Sequence, residues 1–188
     1  MSKADQQYTP ALKAQYNELA AKLKEQFGLK NLNEVPKLRK VVVSAGLGKA
    51  KDDKALMEAA LNTLTKITGQ KAVPAEAKKS IATFKIRRGM NTIGAKVTLR
   101  VDRMYEFVER LNNIILPRVR DFRGTSNNLD GQGNYNIGIV EQSIFPELSY
   151  EETVKVHGIQ VTFVIQNSRD KEHIKEMLQG IGVPFKRD

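Results

Sequence analysis

Two stretches of this chain alternate strictly between apolar and polar residues, and they limit the fold more than any other feature. Ile93, Ala95, Val97 and Leu99 alternate with Gly94, Lys96, Thr98 and Arg100. Ile159, Val161, Phe163 and Ile165 alternate with Gln160, Thr162, Val164 and Gln166. A period of two sends successive side chains to opposite faces, so both stretches predict strands with one face buried. Shorter runs at 40–45, 70–75, 82–87 and 135–140 predict further strands, and Pro74 confines the second of these to an edge.

Helical periods supply the cover. Leu12, Tyr16, Leu19, Leu23 and Phe27 recur every three or four residues, with Thr9 as cap, Pro10 at the first helical position and Gly28 as stop. This predicts a helix over about residues 10–27. Leu56, Ala60, Leu64 and Ile67 form a second stripe, capped by Asp52 or Asp53 and ended by Gly69. A third, from Met104 to Ile115, has Asp102 as cap and Pro117 as its end. A fourth, with Ile174, Met177, Leu178 and Ile181, follows Asp170. Strands and helices do not alternate regularly, which predicts an α+β fold: an antiparallel sheet backed by helices, with basic loops at one edge. No internal repeat or Ser/Gly linker divides the chain, so residues 1–188 are expected to form a single domain. Residues 118–134 lack apolar periodicity and predict a long exposed loop, from Arg118, Arg120 and Arg123 through a polar Gly/Asn-rich run.

Charge narrows the function. The 188 residues carry 31 Lys and Arg against 21 Asp and Glu, a net of +10. From Lys71 to Arg123 there are 13 bases and 5 acids, and from Ala77 to Val101 seven bases and no acid. Positive charge so concentrated repels itself unless an anion relieves it, which points to a polyanionic partner. Two adjacent strands, 82–87 and 93–100, would present a basic sheet surface. Phe84 there could stack on a base or fill the core; alternation alone leaves both open.

Catalytic patterns fail one by one. There is no cysteine, which removes thiolate metal sites and a thiol nucleophile. Gly46-Leu47-Gly48-Lys49 follows a strand, but Val43 stands where a phosphate loop needs its first glycine and Ala50 where it needs a hydroxyl. A calcium loop around Gly131 or Gly133 would put Ile137 or Ile139 at its twelfth position, so a tight turn is the better account. His157 and His173 lack a partner cluster, and Glu151-Glu152 reads as solvated surface. No catalytic residue, metal, cofactor or small-molecule substrate is expected. Nor is a membrane segment or signal peptide expected, since no apolar run approaches ~18 residues and Met1 to Tyr8 is polar. A cytoplasmic RNA or DNA binder remains, unnamed by composition and pattern.

Ordered segments go further. They include Val43-Ser44-Ala45-Gly46-Leu47-Gly48, Thr68-Gly69-Gln70-Lys71, Ala77-Lys78-Lys79-Ser80-Ile81-Ala82, Phe84-Lys85-Ile86-Arg87, Gly94-Ala95-Lys96-Val97-Thr98-Leu99-Arg100, Leu116-Pro117-Arg118-Val119-Arg120-Asp121-Phe122-Arg123-Gly124 and Glu141-Gln142-Ser143-Ile144-Phe145-Pro146-Glu147. From about Val35 to Phe185 the chain closely resembles the bacterial form of the fifth large-subunit ribosomal protein, the 5S rRNA-binding family. The resemblance implies a place in the ribosome, holding 5S rRNA in the central protuberance and touching 23S rRNA. It implies that a loop reaches the elbow of peptidyl-site tRNA, and that another edge meets a small-subunit ribosomal protein in an intersubunit bridge.

Residue by residue, the resemblance assigns rRNA contact to Ser44, Gln70 and Thr98 on the sheet side. The nearby bases Lys40, Lys96 and Arg100 and the run Arg118, Arg120 and Arg123 would meet rRNA phosphates, or, for the last three, the bridge. The tRNA-facing set is Lys78, Lys79, Ser80, Thr83, Phe84, Lys85 and Arg87. Ser44 stands where the family usually has Asn, and Val101-Asp102 where it usually has Gly followed by an acidic or polar residue. Pro74-Ala75-Glu76 also departs from the commoner pattern and removes one base beside the loop. Two other classes stay open on the residues alone: a free RNA-binding regulator or chaperone, and a phosphate-handling enzyme at Gly46 to Lys49.

Overall fold

The alternating stretches become strands of one antiparallel sheet. A computed structural model describes residues 10–48, 53–89, 92–167 and 170–186. Its strands are β1 (Lys37–Gly46), β2 (Val73–Glu76), β3 (Thr92–Leu99), β4 (Tyr135–Ile139) and β5 (Ile159–Gln166). Their spatial order is β2-β3-β1-β5-β4, all antiparallel, so β1 lies in the middle between strands far from it in sequence. Pro74 sits on the edge strand β2, where a missing N–H costs no central ladder bond.

Burial follows the pleat. Val41, Val43 and Ala45 of β1, Ala95, Val97 and Leu99 of β3, and Val161 and Phe163 of β5 all join the core. The helices α1 (Ala11–Gln26), α2 (Lys54–Thr68), α3 (Val101–Arg110) and α5 (Lys171–Gly180) add Tyr16, Leu64, Ile67, Phe107, Val108, Ile174 and Met177 to the same cluster. One turn, α4 (Tyr150–Thr153), falls where the sequence predicts no helix; Ser149 and Glu152 close it with a capping box. The outward strand positions stay exposed or half-buried, except Gly94 where β3 closes on β1. The result is a sheet covered on one side, an α+β fold with the basic β2–β3 connection at one edge.

Several local expectations are corrected. Thr9 lies outside the described residues, and Pro10 takes the cap position of α1 rather than its first turn. Asp53 caps α2, its carboxylate accepting the Leu56 N–H at 3.0 Å; Asp52 is outside the described residues, as are Lys49, Ala50 and most of the turn expected at 89–91. Asp102 is not the cap of α3. Arg100 is, and Asp102 instead pairs with Lys13 at 2.6 Å, joining α3 to α1. The expected strand at 82–87 is a reverse turn: Ile81 and Ile86 exchange backbone hydrogen bonds of 2.9 and 3.1 Å around Ala82–Lys85. Lys85 has φ 52°, which breaks any alternation there.

The 118–134 stretch is exposed at its arginines but anchored elsewhere. The Thr125 N–H donates to Pro184 O at 2.7 Å and Thr125 O accepts from the Lys186 N–H at 2.9 Å. A Cβ on Gly124 would lie 2.6 Å from Lys186 N, so only glycine allows that approach. Further on, Asp130 accepts from Asn134 Nδ2 (2.9 Å), Asn134 N (2.7 Å) and Gln132 N (2.9 Å). The Asn134 side-chain bond, with the backbone bonds, lowers the Asp130 pKa. Its carboxylate is thus committed to a tight turn.

Tyr16 ties α1 to the sheet. The β1–β5 register shifts between Leu38 and Lys40, and the Tyr16 hydroxyl accepts the Leu38 N–H at 3.2 Å while donating to Pro36 O at 3.1 Å. Burial pushes the Tyr16 pKa from 10.0 up to about 12. The folded state therefore favours the neutral phenol. Its contribution to stability is complete below pH 10 and is lost as pH rises toward about 12. Denaturant titrations at roughly pH 9 and pH 11 should show a larger alkaline loss for the native chain than for Tyr16→Phe (a comparison about one unit below and above the unfolded value).

Val101 opens α3 with φ 53°, a left-handed conformation that a β-branched residue adopts only under strain. It is 62% exposed, so little burial offsets that strain. Relief in Val101→Gly is about 1–2 kcal/mol, against an entropy cost of about 0.5–1 kcal/mol. The Tm should rise by about 2–4 °C for a net gain of ~1 kcal/mol, as read by calorimetry.

Candidate nucleic-acid interface

The strand registers decide what the uncovered face displays. Ser44 stands opposite Lys96 on β3 and Gln160 on β5; Val42 stands opposite Thr98 and Thr162. Asn136 and Gly138 on β4 extend these rows beside Thr162 and Gln160. One row therefore reads Lys96, Ser44, Gln160, Gly138, and the next Thr98, Val42, Thr162, Asn136. Lys40, opposite Val164, begins a third. The outward positions of β1, β3, β4 and β5 include no carboxylate. Hydroxyls, amides and ammonium groups on one sheet face can meet 2′-hydroxyls and phosphates without like-charge repulsion.

Most of the expected rRNA set is brought together here. Ser44, Lys40, Lys96 and Thr98 share the face, and Arg100 continues it just beyond β3. Gln70 follows α2 and reaches the same edge, its Nε2 donating to Thr98 O at 3.2 Å. Arg118, Arg120 and Arg123 do not join them: Arg118 and Arg120 line a groove beside β4, at the opposite side of the sheet.

The tRNA-facing set clusters on the β2–β3 connection. Lys78, Lys79, Ser80, Thr83, Phe84, Lys85 and Arg87 are all exposed. The Gly89 N–H closes the base of the loop on Ala77 O at 3.1 Å, and Ser80 Oγ accepts the Arg88 N–H at 3.0 Å. Phe84 is 63% exposed, so it is not a core residue; it stands in the Ala82–Lys85 turn, next to Lys85.

Three face residues were not singled out from sequence. Thr162 Oγ1 donates to Asn136 Oδ1 at 2.6 Å, and Gln160 Nε2 donates to the same oxygen at 3.0 Å. The shared acceptor orders all three side chains. Alternation alone placed Gln160 and Thr162 on a polar face. The missing information was that β5 lies next to β1. Elsewhere, His157 is buried: Gln142 Oε1 accepts its backbone N–H at 2.8 Å, and Nδ1 lies 3.0 Å from Lys155 O. Glu152 pairs with Lys66, a tie between α4 and α2. Among the described residues no group of three or more His, Asp or Glu is placed to hold a metal, and no helix is long and apolar enough to cross a membrane.

A one-sided sheet with a polar, carboxylate-free face and a basic loop defines a polyanion-binding class of protein. Comparison with known proteins gives the family. Residues 31–87 match the family model described as Ribosomal protein L5, and residues 92–185 match the model of the same ribosomal family's C-terminus. The two matches meet between β2 and β3, and their strands interleave in one sheet. The chain is 51% identical over 183 residues to the Large ribosomal subunit protein uL5 of Flavobacterium johnsoniae, covering 96% of this chain and 99% of the relative. It is 51% identical over 179 residues to that of Ruminiclostridium cellulolyticum (94% and 98% covered), and 52% identical over 176 residues to that of Desulforamulus reducens (93% and 96% covered). The chain belongs to the ribosomal protein L5 family. It is a large-subunit ribosomal protein, not an enzyme.

The charge of the face can be tested at Asn136. Asn136→Asp keeps the shared oxygen acceptor but adds a negative charge. Elution from a heparin column should move to lower salt while the Tm stays within about 1 °C, as for a surface change of under ~0.5 kcal/mol.

Proposed function

We propose that this chain binds 5S rRNA on its uncovered sheet face and 23S rRNA beside it, in the central protuberance of the large subunit. The single observation that carries this reading is the carboxylate-free face on which Lys96, Ser44 and Gln160 lie in one row and Thr98, Thr162 and Asn136 in the next. Lys40, Lys96 and Arg100 neutralise phosphates; Ser44, Gln70 and Thr98 meet sugars and bases. Ser44 keeps a hydroxyl donor and acceptor but lacks the reach of an amide.

The 77–89 loop, in the same reading, touches the elbow of peptidyl-site tRNA. Lys78, Lys79, Lys85 and Arg87 meet its phosphates, Ser80 and Thr83 offer hydroxyls, and Phe84 packs on an exposed base or sugar. Another edge meets a small-subunit protein in an intersubunit bridge. The working location is the cytoplasmic ribosome.

The two RNA surfaces separate by their response to salt. Filter binding of 5S rRNA across salt concentrations should show Gln70→Ala with Thr98→Ala losing roughly tenfold in affinity at an unchanged salt slope, since no charge is removed. Lys79→Ala with Arg87→Ala should spare 5S rRNA and weaken tRNA crosslinking within ribosomes. Unaltered 5S rRNA affinity in the first pair would show that the site lies elsewhere.

A further inference from the structure

The 77–89 loop folds back on itself against its own charge. Its first arm carries Lys78 and Lys79, its second Arg87 and Arg88, and Lys85 stands in the turn between them. All five bases are exposed, and no carboxylate lies among residues 77–89. Like charges across paired arms destabilise the pairing. Left to its charges, this loop would splay.

Hydrogen bonds across the arms oppose that repulsion. At the base the Gly89 N–H meets Ala77 O at 3.1 Å, and next to the turn Ile81 and Ile86 exchange bonds of 2.9 and 3.1 Å. Between these levels, beside the four bases of the arms, Ser80 Oγ accepts the Arg88 N–H at 3.0 Å. A regular ladder continued from the Ile81–Ile86 pair would set Ser80 against Arg87. The Arg88 N–H instead finds its acceptor in a side chain. The tie therefore depends on residue type: only a hydroxyl or a similarly short acceptor at position 80 can make it.

We infer that Ser80 is a positioning residue: its hydroxyl holds the two basic arms together before any RNA arrives, so that the bases and Phe84 meet tRNA already in place. The inference rests on the tRNA reading of this loop and gives Ser80 a task beside the hydroxyl it offers outward. Ser80 acts through Arg88, on the shape of the loop. A loop already ordered loses less entropy on binding. Salt separates this role from ordinary packing. Screening the bases relieves the repulsion that the hydroxyl opposes, so salt replaces Ser80 here, whereas it cannot replace a packing contact.

Amide hydrogen exchange on the full chain tests this at about 0.01 M and about 1 M salt, where the reach of a charge is roughly 30 Å and 3 Å. The readout is Ile81, Ile86 and Gly89, whose amides bond across the arms without touching Ser80. Relative to the native chain, Ser80→Ala should speed their exchange roughly threefold to tenfold at low salt, as for one lost hydrogen bond, and much less at high salt. Ser80→Thr, which keeps the hydroxyl, should restore native protection. Crosslinking to peptidyl-site tRNA within ribosomes should fall by a similar roughly threefold to tenfold in Ser80→Ala and recover in Ser80→Thr. No loss of protection at low salt, a loss that high salt does not reverse, or an equal loss in Ser80→Thr would each overturn the inference. So would a native Arg88 amide that exchanges as in an unstructured chain, a measurement that decides the matter even where Ser80→Ala does not fold. Crosslinking lowered by Lys79→Ala with Arg87→Ala but not by Ser80→Ala would overturn the positioning role alone. Crosslinking lowered by neither would overturn the tRNA reading and this inference with it.

Discussion

The register of β1 is the constraint on which everything else rests. This strand is paired on both sides, to β3 and to β5, and buries Val41, Val43 and Ala45 beneath the helices. A slip of one residue would turn these into the uncovered face and drive Lys40, Val42 and Ser44 into the core. The same ladder that sets the core thus sets the polar rows above it. Gly94 marks how closely β3 must approach: a Cβ there would lie 2.5 Å from Ala45 O. Core and candidate interface are two readings of one set of hydrogen bonds.

The periphery is held by a different chemistry. Tyr16 answers the N–H of Leu38 where the β1–β5 register shifts, Lys13 and Asp102 join α1 to α3, and Arg110 bonds both Glu147 (2.6 Å) and Ile67 O (3.2 Å). These are single polar ties between elements that the apolar cluster already brings together. They fix angles more than they supply stability, since partly exposed ion pairs contribute little each.

Much of this was legible in the chain because burial leaves a period. Ile159–Gln166 and Ile93–Leu99 appear as strands where their alternation lies, and the stripes of α2 and α5 sit on the core. The 82–87 run misled because three alternating apolar residues are too few to tell a strand from a turn, and the tight pairing of Ile81 with Ile86 took over. The 118–134 stretch is the long loop that its lack of period predicts, but its anchors are main-chain bonds to the C-terminal segment, which leave no side-chain pattern. At the candidate site, Ser44, Gln70, Thr98 and the basic loop were reachable through family resemblance. Gln160, Thr162 and Asn136 were not, because a polar alternation does not say which strand is its neighbour.

The strand order also sets a timetable. β1 is made early, yet its partner β5 begins at Ile159, more than a hundred residues later. During synthesis the middle strand has one side of its ladder open until most of the chain has emerged, and the 118–126 segment is anchored later still, when Pro184 and Lys186 arrive. A sheet closed by such distant pairings forms slowly, with an unpaired apolar edge in the interval. Through that interval the surplus of lysine and arginine keeps unfinished copies apart by mutual repulsion. In a chain destined for RNA, the charge has a use before any RNA is met.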